Sequence, residues 1–289
     1  MGFDSLKSLT SQNNEDTGSN MKELVDLQDI INLDKNEINS KMDYMVETLV
    51  RVFGDKLAFK GGYMLTKLMP NTARQTTDID FSIGDSKLYH DLLKTMETIG
   101  NHFVDEGYIS SYKIKDEIRE FMSGGMDMYS STGEKILGID IGWHDISFGV
   151  TTTKIDICEL SAFMVERMLA DKITAILSRK RFRRPKDIYD LYCISNCFDF
   201  NTSLINEFIL KRTQGAGADW NNFPFKEEII VEYKKAYDKL ILTSMYKNVS
   251  LNKPDFYEVM KRFNTICEQL LKNKESFWDY KKGVFVDAL

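Results

Sequence analysis

Apolar residues between Asp34 and Phe53 (Ile38, Met42, Met45, Val46, Leu49, Val50, Phe53) recur at intervals of three and four, which predicts an amphipathic helix capped by Asp34. A short run, "KLAFK", predicts a strand that ends on Gly61-Gly62, and "YMLTKLM" predicts a short helix stopped by Pro70 and Asn71. "TDIDFSIGD" alternates with period two and reads as a strand, and Lys87 to about Val104 returns to helical spacing. Three strand-like runs follow: "YISSYKIK", "GMDMYSST" and "KILGIDIGWHDISFGVTTTKID", the last long enough for two strands broken near His144 and Asp145. From Leu160 onward the pattern is almost wholly helical, over 160–179, 185–197, 202–212, 225–242 and 255–273.

Mixed α/β followed by all-α predicts an α/β (α+β) chain in two packed units: a mixed sheet with flanking helices over 21–158 and a helical domain over 159–289. Residues 1–20, rich in Ser, Asn, Thr and Asp, have little to bury and read as a mobile arm.

Hydrophobic residues at 43% and charged residues at 28% keep the chain in the ordinary globular range. No apolar run approaches the ~20 residues needed to cross a bilayer, and the opening stretch lacks the basic-then-apolar layout of a secretory signal. A cytoplasmic protein without membrane contact is expected. A net charge of −6 argues against non-specific coating of nucleic acid, so any such contact must be local. The cysteines are scattered, apart from Cys193 and Cys197 at helical spacing, and the few histidines lie near no cysteine pair; reduced thiols are expected and a zinc finger is not.

On a strand, Asp78, Asp80 and Ser82 share one face, while Ile79, Phe81 and Ile83 point into the core. Like charges so close raise a pKa or recruit a cation, and oxygen-only surroundings suit Mg²⁺. In "KILGIDIGWHD" Asp140 shares a face with Ile136, Gly138 and Gly142; glycine weakens a strand unless something approaches closely there. If the two strands pair, Asp78, Asp80 and Asp140 converge, the arrangement that holds two metal ions about 3.5–4 Å apart for phosphoryl chemistry. "DID" alone reads as a solvated surface pair; combined with the glycines before it, it makes the metal reading much stronger.

Gly61-Gly62 lies where a strand meets a helix, so backbone N–H groups can face a phosphate, although an ordinary tight turn has the same sequence. In the second half, Lys172 and Arg179 are seven apart on one helical face, where either reaches a triphosphate or pairs with a nearby acid. "RKRFRRPK" places six basic residues within Arg179 to Lys186, a solvated turn or a docking point for RNA phosphates. Pro185 suits a first helical position, with Asp187 in the first turn and Asp190 on the same face. The plain alternatives are a helix-start charge for Asp187 and a salt bridge from Asp190 to Arg183 or Arg184.

"KGGYMLTKLMPNTARQTTDIDFSI" resembles the signature of the nucleotidyltransferase fold as found in the AbiEii family, the toxin half of the AbiE abortive-infection and toxin–antitoxin systems of bacteria. "MLADKITAILSRKRFRRPKDIYDLYCI" resembles that family's Lys…Arg helix and its following helix with two acids. Tyr63 departs from it, standing where the family often has Ser or Thr. The resemblance implies that Lys60, Gly61, Gly62, Arg74, Lys172 and Arg179 bind an NTP, that Asp78, Asp80 and Asp140 hold Mg²⁺, and that Lys172 with Asp187 or Asp190 joins them in catalysis. It further implies transfer of NMP to an acceptor hydroxyl on RNA, a tRNA 3′ end, causing growth arrest in phage defence, and a cognate AbiEi-like antitoxin. Two other classes fit the same residues: a nucleotide-binding regulatory module without transfer activity, and a metal-dependent phosphodiesterase or nuclease.

Overall fold

Helix α1 runs from Ile38 to Phe53 and buries the stripe that its sequence spacing sets, Met42, Met45, Val46 and Leu49. The structure is a computed structural model that describes residues 38–85, 87–115, 123–143, 146–178, 184–211, 218–242 and 253–287. The expected arm over 1–20, the Asp34 cap, the strand break at His144 and Asp145, and Arg179 with most of the basic run lie outside the described residues.

After α1 come β1 (Leu57–Lys60), α2 (Gly61–Leu68), β2 (Asp78–Ile83), α3 (Leu88–Asp105), β3 (Ser111–Lys115), β4 (Ser123–Tyr129), β5 (Lys135–Trp143), β6 (Val150–Lys154) and β7 (Glu159–Phe163). Then follow α4 (Val165–Ile176), α5 (Pro185–Cys197), β8 (Phe200–Asn201), α6 (Thr202–Lys211), α7 (Glu227–Ile241), α8 (Phe256–Leu271), β9 (Ser276–Asp279) and β10 (Val284–Asp287). Contacts divide the chain into two compact units, which are not separated by a single boundary near residue 158. Among the described residues, one holds those up to Phe59, within 77–147 and within 152–161; the other holds Lys60–Thr76, Phe148–Thr151 and those from Ala162 on.

The first unit is built on a mixed sheet with strand order β3-β4-β5-β2-β1-β7-β6. Strand β5 is parallel to β2 and antiparallel to β4, which is antiparallel to β3. Period-two alternation sends Ile79, Phe81 and Ile83 of β2, Met126 and Met128 of β4, and Leu137, Ile139 and Ile141 of β5 into the core. Helix α1 packs on β5, and α3 packs on β3 and β4 through a stripe that includes Leu92, Met96, Ile99 and Phe103.

In the second unit α4 packs against α5 and α6, and α5 against α7 and α8. The stripe Val259, Phe263, Ile266, Cys267 and Leu270 of α8 is buried, so this segment is core. Two expectations are corrected here. Leu160 does not begin a helix: Glu159–Phe163 alternates as strand β7, and the chain turns at Met164 before α4 starts. Nor is the remainder wholly helical, because β8, β9 and β10 form a small antiparallel sheet in which Trp278 stacks on Phe200 and donates to the Ser195 carbonyl at 2.6 Å. The signal was present in "SFWDYKKGVFVD", two alternating runs around Gly283, which adopts φ +68°. Among the described residues no helix is long and apolar enough to cross a membrane.

Candidate active site

The parallel pairing of β2 with β5 sets Asp80 opposite Asp140 and Asp78 opposite Gly138, so the three predicted acids share one sheet face. A fourth carboxylate joins them. Asp127 of β4 lies opposite Gly138, and its position between the core residues Met126 and Met128 was the sequence signal for it.

Cations from the same unit hold Asp78, Asp127 and Asp140. Lys115 contacts Asp140 and lies 3.3 Å from Asp127, while Lys135 Nζ lies 2.8 Å from both Asp78 Oδ1 and Asp127 Oδ1. Burial alone would raise the Asp127 pKa, but the two ammonium groups outweigh it and hold the carboxyl below its ordinary range. Lys135 is affected in the complementary sense: burial opposes its charge, and Asp127 and Asp78 raise its pKa nonetheless. A Cβ at Gly138 would come within 2.7 Å of Asp78 Oδ1 and 2.8 Å of Lys135 Nζ, so the ends of these two side chains lie directly over it. Ser82, fully buried two residues beyond Asp80, has a hydroxyl with no hydrogen-bond partner among the described residues.

The donor set is all oxygen, as a hard divalent ion requires, and the space over Gly138 beside Asp78 is taken by the Lys135 side chain. Asp78, Asp80 and Asp140 are therefore suited to Mg²⁺ in the chemistry of their donors and in sharing one sheet face. As the side chains stand, no three acidic, histidine or cysteine groups among the described residues gather round one ion-sized point; lysines engage two of the three acids.

In the second unit, four charged side chains are buried together: Arg74, Lys172 on α4, and Asp187 and Asp190 on α5. Arg74 reaches both oxygens of Asp190 at 3.1 Å, and Lys172 Nζ lies 2.7 Å from Asp190 and 3.4 Å from Asp187. Lys172 is thus ion-paired in this structure, and the pair is buried rather than at the surface. The expected bridge from Asp190 to Arg184 is corrected: Arg184 stands 3.6 Å from Asp187, one turn earlier, while Asp190 faces Arg74 and Lys172; Arg183 lies outside the described residues. Burial works against both charges at the centre, yet the Asp190 pKa is lowered by Arg74 and Lys172, and the Lys172 pKa is raised by Asp190 and Asp187.

This network backs the glycine turn. Lys60 is extended, Gly61 adopts φ +71°, and α2 begins at once. A Cβ on Gly62 would lie 2.8 Å from Thr76 Oγ1 and 3.5 Å from Arg74 Nη2, so the Arg74–Thr76 segment rests on the turn. The same segment is pinned to α5 through the Thr72 carbonyl, which accepts from Tyr189 at 3.0 Å and from the Cys193 thiol at 3.4 Å. Burial first, and Asp190 next, push the Cys193 pKa up to about 12, which keeps the thiol protonated as a donor. Lys60 lies 5.2 Å from the Phe163 ring centre, and the Arg167 guanidinium 3.7 Å from the same ring.

The sequence model of one family, described as nucleotidyl transferase AbiEii toxin of type IV toxin–antitoxin systems, matches residues 43–268, well over half of the chain. Among solved structures, JHP933 from Helicobacter pylori is similar at 13% identity and a TM-score of 0.48, over 81% of this chain and 90% of its own. A candidate nucleotidyltransferase from H. pylori matches at 13% identity and 0.49, over 82% and 94%. The lincosamide antibiotic adenylyltransferase LnuA, solved with lincomycin bound, matches at 14% identity and 0.39, over 55% and 96%. No curated protein matches the sequence. The family match runs through the glycine turn, the acids of β2, β4 and β5, and the α4–α5 pair, and on it the chain belongs to the AbiEii family of nucleotidyltransferase toxins.

Proposed function

We propose that the protein transfers a nucleoside monophosphate from an NTP to a hydroxyl of an RNA acceptor, a tRNA 3′ end, and arrests growth by doing so. The observation that carries this reading is the register of β2 on β5, which gathers Asp78, Asp80 and Asp140 on one face. As a toxin of a toxin–antitoxin system, the protein has an antitoxin partner.

In this reaction the acceptor hydroxyl loses its proton to solvent as its oxygen bonds the α-phosphorus, the bond from that phosphorus to the oxygen bridging to the β-phosphate breaks, and pyrophosphate leaves. The chemistry asks for positioning and charge stabilisation rather than a covalent intermediate. Asp78, Asp80 and Asp140 would hold Mg²⁺, which when bound polarises the phosphate and makes the acceptor hydroxyl more acidic. Asp140, half exposed, orients the incoming hydroxyl. Gly61 and Gly62 offer backbone N–H groups to the triphosphate at the start of α2, where the helix dipole favours an anion. Lys60, beside that turn, adds positive charge. Arg74, Lys172, Asp187 and Asp190 act as positioning residues: buried and mutually paired, they fix the segment on which the turn rests.

The test is incubation of the pure protein with bulk tRNA, Mg²⁺ and one labelled NTP at a time. Label in RNA together with released pyrophosphate is the expected result. Cleaved RNA without added NTP would instead identify a phosphodiesterase. Growth arrest that survives Asp80→Asn, with no label transferred, would identify a binding module.

A further inference from the structure

The carboxylate face carries its own cations, and one of them is placed there by a defect in the sheet. Between β4 and β5 the ladder slips by one residue: Met128 pairs with Leu137, but Tyr129 pairs with Lys135, leaving Ile136 as the extra residue of a bulge. Regular alternation would point Lys135 the same way as Leu137, into the core. The bulge turns it to the opposite face, a re-aiming for which such irregularities are known.

On that face Lys135 crosses Gly138, where a Cβ would lie 2.9 Å from its Cε, and brings Nζ to 2.8 Å from Asp78 and from Asp127. With Lys115 the result is an alternating row across the strands: Asp140, Lys115, Asp127, Lys135, Asp78. The acids at the two ends belong to the proposed metal-binding trio. Asp127, in the middle, does not, and it touches both ammonium groups.

We propose that Lys135 is a resident counter-ion of the transfer site, anchored by Asp127, whose ammonium group occupies the cation position at Asp78 and yields it to a divalent metal. Metal binding is then an exchange. The ammonium leaves Asp78 and remains on Asp127, so affinity for the free metal ion is reduced by the Asp78–Lys135 contact that must be broken. This inference rests on the reading of Asp78, Asp80 and Asp140 as metal ligands, and its test separates the two.

Mn²⁺ binding to the full chain, without nucleotide, is followed by electron paramagnetic resonance with Mg²⁺ as competitor. Lys135→Met is expected to bind about three- to tenfold more tightly than the wild type, the range expected on removing a partly exposed ion pair from an adjacent carboxylate. Lys135→Gln, which keeps a hydrogen bond to Asp127 but no charge, is expected to do the same, and it serves if the methionine variant fails to fold. Lys113→Met removes a charge from the same face of β3 at an exposed site and controls for the general field; it is expected to change affinity by less than about twofold. Asp127→Asn releases both lysines onto Asp78 and Asp140 and is expected to weaken binding. Lys135 variants that bind no more tightly than Lys113→Met overturn the inference and leave the metal reading standing. Equal, weak Mn²⁺ binding by the wild type and Asp80→Asn overturns the metal reading and the inference with it.

Discussion

Arg74 and Asp190 stand 116 residues apart in sequence and meet through two parallel hydrogen bonds, Nε to Oδ1 and Nη2 to Oδ2, each 3.1 Å. The fork fixes the direction of the guanidinium as well as its distance, and Asp190 accepts Lys172 on the same oxygen as Nη2. Removing the carboxylate leaves two buried cations facing one remaining acid. Asp190→Ala is expected to cost about 3–5 kcal/mol, the usual penalty for orphaning a buried charge. Asp187→Ala is expected to cost less, because Lys172 retains its shorter contact at 2.7 Å. Urea unfolding of the two variants beside the wild type gives both differences.

The same network sets a pH dependence. The folded pKa of Asp190 lies below its unfolded value, because Arg74 and Lys172 outweigh the cost of burial. Its contribution to stability is therefore fully present above the unfolded pKa of about 3.9 and is lost as pH falls through the lower folded value. Lys172 has a raised pKa, so its contribution is present below about 10.4 and is lost only at higher pH. Urea midpoints recorded from pH 7 down to pH 2 should fall below about pH 4 in the wild type. Asp190→Asn should start lower and show a shallower acid limb; an unchanged slope would remove Asp190 from this account.

Gly61 and Gly62 are required for different reasons. The φ of +71° at Gly61 is a left-handed conformation, and alanine there is expected to cost about 1 kcal/mol with a modest loss of NTP affinity. At Gly62 the obstacle is contact, since the new Cβ would sit 2.8 Å from Thr76 Oγ1 and 3.0 Å from Thr76 Cβ. Relief requires the Arg74–Thr76 segment to move off the turn. Gly62→Ala is expected to cost about 1–3 kcal/mol, as overpacking does, and to weaken NTP binding more than Gly61→Ala. Calorimetric titration with a non-hydrolysable NTP distinguishes the two.

What the sequence conveyed, and what it did not, follows the range of the interactions. Alternation in "TDIDFSI" and "KILGIDI" identified the faces of Asp78, Asp80 and Asp140, because a strand fixes the side of each residue locally. Strand pairing is not local, so convergence of the acids stayed conditional until β2 was found parallel to β5 with Asp80 opposite Asp140. Lys135 was beyond reach: its face depends on a one-residue slip against β4 that leaves no mark in the β5 sequence alone. Arg74 stands shortly before the acids in the sequence, but its partner lies on a helix more than a hundred residues later. Conversely, the "SFWD" and "VFVD" alternation is local and legible in the sequence, although it follows strong helical patterns.

Asp140 and Asp80 give the sharpest separation of chemistry from folding. Asp140 has half of its side-chain surface exposed, and it belongs to no buried cluster whose loss would unfold the protein. Its contact with Lys115 does not isolate that lysine, which retains Asp127 at 3.3 Å. Asp140→Asn is therefore expected to change stability by less than about 1 kcal/mol, the range of exposed ion pairs. Removing a carboxylate from a site that stabilises developing charge is expected to lower the transfer rate by about a hundredfold or more. Asp80→Asn should behave alike in activity and abolish growth arrest on expression. The check pairs two measurements on each variant, urea stability and label transfer from NTP to tRNA. A variant that folds as the wild type and still transfers label at the wild-type rate would take that aspartate out of the catalytic site.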